Sequence, residues 1–94
     1  MILTLPSYER AFGRLTEQQR ERVQAAVSLL EGAFGEPHSH SGIGIRRFGK
    51  FFEARAGLDL RLLFVSRRAD IIPATVGSHN DIRAYVKNNP KLKV

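Results

Sequence analysis

The fold is decided by Phe51-Phe52-Glu53-Ala54-Arg55-Ala56-Gly57-Leu58-Asp59-Leu60-Arg61-Leu62-Leu63-Phe64-Val65-Ser66. Leu60, Leu62 and Phe64 alternate with Arg61, Leu63 and Val65, and Phe52 and Ala54 alternate with Phe51, Glu53 and Arg55. A period of two is that of β-strands, whose side chains point to opposite faces in turn. Gly57 separates the two runs, which makes them a hairpin. A three-residue loop from Ala56 to Leu58 pairs Arg55 with Asp59, Ala54 with Leu60, Glu53 with Arg61 and Phe52 with Leu62. Each pair is then apolar with apolar or opposite in charge, whereas a two-residue turn at Gly57-Leu58 sets Arg55 against Leu60. The three-residue register is the expectation, with Leu60, Leu62 and Phe64 beneath a helix and Arg61 facing outward.

Working outward, Gly42 to Phe48 and Asp70 to Val76 have the same character, and Gly49 and the polar Arg67-Arg68-Ala69-Asp70 segment mark the remaining turns. Turns this close predict an antiparallel meander of four segments: Gly42 to Phe48, Lys50 to Ala56, Leu58 to Ser66 and Asp70 to Val76. A two-residue turn at Gly49-Lys50 sets Arg46 opposite Glu53 and Ile45 opposite Ala54, so that Glu53 lies between Arg46 and Arg61 on an open, basic sheet face. Pro73 lacks an N–H for the ladder, which favours an edge position or a bulge. Ser78 is placed to cap a C-terminal helix with Asp81 in its first turn, and Ile82, Tyr85 and Val86 can meet the sheet. Asn88 to Val94 reads as a loose basic tail.

Before the sheet, Ile2 to Leu5 reads as a short strand ended by Pro6, with Ser7 capping a brief helix through Leu15. Thr16-Glu17-Gln18-Gln19 matches a capping box, so a longer helix begins near Glu17. Val23, Ala26, Val27, Leu30 and Phe34 follow at helical spacing and make one buried stripe. Gly32, Gly35 and Pro37 end it, and Glu36 to Gly44 is a loop. His38 and His40 in that loop lack a third ligand at metal-site spacing, so no metal is expected. The whole gives one domain over residues 1–94: α+β, an antiparallel meander backed by N-terminal helices, with a short C-terminal helix.

The 94 residues hold 15 Lys and Arg against 9 Asp and Glu, a net charge of +6, and no cysteine. A chain this short builds one core. Without cysteine it has no disulfide, thiolate metal site or cysteine nucleophile. Its longest apolar run falls well short of the ~20 residues of a membrane span. Met1 to Pro6 lacks a basic flank and a long apolar core, so it does not read as a signal peptide, and a cytoplasmic location is expected. The positive excess draws polyanions, either nucleic acid or an acidic protein.

Glu53, Arg55, Arg61, His79 and Tyr85 together suit chemistry on a phosphodiester, since a base, an acid and fixed positive charge are the needs of that reaction. The same spacing is also that of a cross-strand salt-bridge ladder, with His79 an exposed first-turn residue and Tyr85 a packing residue. Spacing alone leaves both open.

Phe52-Glu53-Ala54-Arg55, Leu60-Arg61-Leu62-Leu63-Phe64, Val76-Gly77-Ser78-His79 and Tyr85 resemble the RelE/ParE toxin superfamily of type II bacterial toxin–antitoxin systems. The resemblance implies an acidic antitoxin that neutralises the chain. It also implies one of two activities: ribosome-dependent mRNA endonuclease, as in RelE-like members, or a non-nucleolytic action on DNA gyrase, as in ParE-like members. Arg61 matches the sheet arginine at the scissile phosphate, His79 the group acting on the leaving oxygen, and Tyr85 the aromatic that stacks on a base or orients the nucleophile. Glu53 resembles the carboxylate base of the YoeB-like branch, although RelE itself has lysines at Glu53 and Arg55, so His79 is the other candidate for that role.

On this reading a ribose 2′-hydroxyl attacks the adjacent phosphate of an mRNA on the ribosome. Glu53 serves as base, His79 as acid, and Arg61 with Arg46 or Arg55 as clamps, with no metal and no cofactor. Arg46, Arg47, Lys50, Arg55, Arg83 and Lys87 are the expected RNA contacts. An inactive basic RNA-binding module is the reading from another class.

Overall fold

The computed structural model describes residues 4–33, 45–57, 59–67 and 70–90. Helices α1 (Pro6–Gly13) and α2 (Glu17–Ala33) come first. Strands β1 (Arg46–Phe48), β2 (Phe51–Arg55), β3 (Arg61–Arg67) and β4 (Asp70–Gly77) follow, and α3 (His79–Asn88) closes the order. The strands form one antiparallel sheet in the order β1-β2-β3-β4, the expected meander. Gly49, between β1 and β2, has φ of +58°, a left-handed conformation in which glycine meets no Cβ penalty. Arg46 duly stands opposite Glu53.

Both faces of the sheet are covered. On one, Val23, Val27 and Leu30 of α2 and Tyr8 of α1 pack on Ala54, Leu60, Leu62, Phe64, Ile71 and Val76. This is the predicted helical stripe with Ala26 also buried, and the predicted Leu60, Leu62, Phe64 face beneath it. Phe52 and Phe64 stack across strands with ring centroids 5.4 Å apart. On the other face Phe51, Leu63, Val65, Ile72 and Ala74 meet Ile82 of α3, with Tyr85 and Val86 packed against them. Each fully buried side chain of this size is worth about 1.5–3 kcal/mol, so both layers are needed to stabilise so short a chain.

The start of α2 is set as expected: the Gln19 amide donates to Thr16 Oγ1 at 3.1 Å, and the Thr16 amide donates to Gln19 Oε1 at 2.9 Å. Ser7 does not cap α1. Pro6 occupies the first turn, where its missing N–H costs nothing, and Leu5 is the cap residue without a side-chain bond. Ser7 is used elsewhere. Leu63 pairs with Thr75 and Phe64 with Pro73, which leaves Ala74 as the extra residue of a bulge. The Ser7 hydroxyl donates to the Ala74 carbonyl at 2.6 Å, and Ser7 Oγ lies 3.1 Å from the Tyr85 hydroxyl. The carbonyl that the bulge removes from the ladder is thus satisfied from α1. Pro73 sits on an edge strand beside this bulge, and its carbonyl accepts from the Leu5 amide at 3.0 Å.

Two further expectations need correction. The β2–β3 loop is longer than three residues: the Ala56 amide donates to the Leu60 carbonyl at 2.8 Å, and Arg55 pairs with Arg61, Ala54 with Leu62, Glu53 with Leu63 and Phe52 with Phe64. The slip is by two residues, so every side chain keeps its predicted face. The face bearing Glu53 is also not open, because α3 lies over it and Glu53 has no exposed surface. The loop with His38 and His40, the proposed strand residues Ile2 and Leu3, the stripe residue Phe34 and the end of the tail lie outside the described residues.

Candidate functional site

Arg61 opens β3 and pairs with Gly77, the last residue of β4. That pairing carries the arginine to the N-terminus of α3, since Ser78 caps the helix and His79 is its first residue. The cap is reciprocal: the Ser78 amide donates to Asp81 Oδ2 at 2.9 Å, and the Asp81 amide donates to Ser78 Oγ at 3.2 Å. The bonds from the Ser78 amide, then the Ser78 hydroxyl, hold the Asp81 carboxyl below the usual carboxylate range. Gly77 is required here by close approach, because a Cβ at that position would lie 2.7 Å from Asp81 Oδ2 and 2.9 Å from Asp81 Cβ.

Between β3 and α3 a shallow surface pocket of about 180 Å³ is lined by Asp59, Arg61, Ser78, His79 and Asn80. The guanidinium and the positive end of the α3 dipole favour an anion. His79 is exposed and able to exchange a proton with a bound group. Of the residues expected to act together, Arg61 and His79 meet in this pocket. Asp59, Ser78 and Asn80 join them, none of the three being a site residue on the sequence pattern. For Asp59 a signal existed, since it stands two residues before Arg61 and shares its parity.

Glu53 lies behind the pocket. Its Oε1 accepts from Arg61 Nη1 at 3.0 Å, its side chain is wholly buried, and that of Arg61 is 19% exposed. The contact is diagonal across the strands, so the ion pair survives the two-residue slip that takes the residues out of direct opposition. Oε2 of Glu53 has no hydrogen-bond partner among the described residues.

Tyr85 does not line the pocket. Its hydroxyl meets Ser7, its ring meets Phe51 edge-on at 6.1 Å, and its carbonyl accepts from Asn89 Nδ2 at 2.9 Å. The residue as a whole is half-buried. The expected RNA contacts Arg46, Arg47, Lys50, Arg55, Arg83 and Lys87 are all exposed. Arg46 and Arg55 flank Glu53 on the face of Arg61, and Lys50 Nζ lies 5.8 Å from the Phe51 ring centre. Arg83 and Lys87 edge a surface depression with Ile82 and Val86 on α3. Arg47 is on the other side: its guanidinium carbon lies 5.3 Å from the Phe52 ring centre, and its Nε donates to the Gly49 carbonyl at 2.9 Å. Among the described residues no group of three His, Cys, Asp or Glu side chains is placed to hold a metal ion, and no helix is long and apolar enough to cross a membrane.

No protein-family model matches the chain, and no curated protein sequence matches it. Solved structures do. A RelB-RelE antitoxin-toxin complex from Methanococcus jannaschii superposes with a TM-score of 0.64 at 14% identity, over 89% of this chain and 98% of the matched one. A RelE-RelB complex from Pyrococcus horikoshii OT3 gives 0.61 at 18% identity, over 82% and 91%. With its helices, four-stranded antiparallel sheet and closing helix, the chain has the α+β fold of the RelE-like toxins.

Proposed function

We propose that this chain is the toxin of a toxin–antitoxin pair and cuts mRNA on the ribosome, in the cytoplasm, by attack of a ribose 2′-hydroxyl on the adjacent phosphate. The observation that carries the reading is the meeting of Arg61 and His79 in one surface pocket at the N-terminus of α3. Arg61 binds the scissile phosphate and stabilises the charge that grows on its oxygens, a task suited to a planar donor fork. His79 gives a proton to the departing 5′-oxygen. Asp59 is the carboxylate in the same pocket, and it accepts the 2′-hydroxyl proton. Glu53 is enclosed and is not assigned that step. Arg46, Lys50, Arg55, Arg83 and Lys87 guide the RNA backbone, and the accessible part of Tyr85 offers a stacking surface. An acidic antitoxin covers this basic side, in keeping with the net charge of +6 and with the partnered state of both similar structures.

The test is brief induction in a bacterial host followed by mapping of RNA 5′ ends. Cuts within translated codons are expected. Arg61→Ala should slow cleavage by about 10²–10³-fold and His79→Ala by about 10²–10⁴-fold, with both variants folded. Intact transcripts together with inhibited DNA gyrase would refute this reading in favour of a topoisomerase-directed toxin. Tight, salt-sensitive RNA binding without cutting would refute it in favour of a binding module.

A further inference from the structure

Glu53 is the one buried carboxylate among the described residues, and its place is unusual for a group with no exposed surface. It does not act through solvent or by touching RNA. Its contact with the pocket runs through Arg61. An arginine side chain is long and, left alone, samples many rotamers. At this position it has a further reason to leave: Arg55 stands directly opposite on β2, and like charges in direct opposition repel. Glu53 lies on the same face, two residues from Arg55 along β2, and offers an acceptor on the inner side of the guanidinium. One of the five N–H donors of Arg61 is engaged there, which leaves the other edge of the fork for a phosphate.

We infer that Glu53 is a positioning residue, which holds the Arg61 guanidinium at the floor of the pocket so that its outer edge meets the phosphate. This rests on the endonuclease reading for its consequence but not for its geometry. Arg46, directly across from Glu53 on β1, and Arg55, two residues along β2 itself, are the other charged residues that share the face of the carboxylate. They surround it with positive charge, which suits an acceptor held in an ion pair.

Two measurements test the inference. In the first, the guanidinium resonances of Arg61 are followed by ¹⁵N–¹H NMR, assigned by their loss in Arg61→Lys. In the wild type they should be resolved, as for a held guanidinium, and in Glu53→Ala they should merge by rotation. The second is single-turnover cleavage of ribosome-bound mRNA against pH. Glu53→Ala should be slower by about 10²-fold, the usual effect of a displaced reacting group. Glu53→Gln keeps the shape and one acceptor oxygen, so it should stay within about tenfold of wild type and keep both limbs of the pH profile. Resolved Arg61 signals in Glu53→Ala would overturn the inference, as would the loss of the acidic limb in Glu53→Gln. If the wild type cuts no RNA, the endonuclease reading fails, and the NMR measurement alone decides whether Glu53 holds Arg61.

Discussion

Replacing Gly77 by alanine should cost more than removing the cap that it sits against. The new methyl group would meet Asp81 Oδ2 at 2.7 Å, Cβ at 2.9 Å and Cγ at 3.2 Å. A flexible side-chain end moves away easily, but Cβ is fixed to the first turn of α3, so relief requires that the turn itself shift. The shift breaks the bond from the Ser78 amide to Asp81 Oδ2 and strains the reciprocal one. Loss of a cap costs about 0.5–2 kcal/mol, and forced crowding about 1–3 kcal/mol. A total near 2–3 kcal/mol is therefore expected. For a domain of this length each kcal/mol lowers Tm by about 4–8 °C. Ser78→Ala is the comparison, since it loses the hydroxyl and keeps the space, and should cost about 1 kcal/mol. The assay is urea unfolding followed by far-UV circular dichroism, read as a change of midpoint at constant slope. Asp81→Ala supplies the internal check: it removes two of the three crowded atoms, so in the Gly77→Ala background it should cost at least ~0.5 kcal/mol less than in the wild type. The steric reasoning is refuted if Gly77→Ala is no worse than Ser78→Ala, or if the two substitutions simply add.

Asp81 also predicts a pH effect: its carboxyl is held below the ordinary range when folded, so its stabilisation is present above the unfolded value of ~3.9 and is lost as pH falls through the folded value. Because Asp81 is exposed the slope is small, and Ser78→Ala should flatten it in acid unfolding curves. Tyr8 works at the other end. Burial, then the nearby Glu9 charge, pushes its phenol up to about 12, so stability should fall between pH ~10 and that value, and Tyr8→Phe should remove both the fall and a late rise in ultraviolet absorbance. Leu62→Ala empties a fully buried site between α2 and the sheet and should cost about 2–5 kcal/mol in the same urea assay.

Local signals in the sequence carried far. The Thr16–Gln19 box, the Ser78 cap, the Val23 to Leu30 stripe and the Gly49 turn each act through residues within a few positions of one another, and each forms as the pattern implies. The β2–β3 register is not legible for a physical reason: a slip of two preserves the pleat, so hydrophobic alternation cannot detect it. Favourable charge opposition then pointed the wrong way, because Arg55 faces Arg61 while Glu53 attracts it diagonally. The covering of the Glu53 face is foreshadowed by Leu63 and Val65, apolar residues that share the parity of Arg61. Strands buried on both faces read as nearly continuous apolar runs. Ser7 could not be placed from its neighbourhood at all, since its partner Ala74 is 67 residues away. In the site, Arg61 and His79 were legible as residue types. Their meeting depends on the Arg61–Gly77 pairing, which only the folded sheet specifies.

The Leu5 amide on the Pro73 carbonyl has a consequence for assembly. β4 is the last strand of the sheet, and the outer edge of such a strand is a template on which another chain can add. At Pro73 the donor of that template is missing by chemistry and the acceptor is already taken by the chain's own N-terminal segment. Any chain that paired with β4 there would first have to lift Leu5 away, and with it the helix whose Ser7 closes the bulge next door. The start of the chain thus acts as a guard against polymerisation through this edge, and shortening it should show first as aggregation, before any loss of helix or sheet.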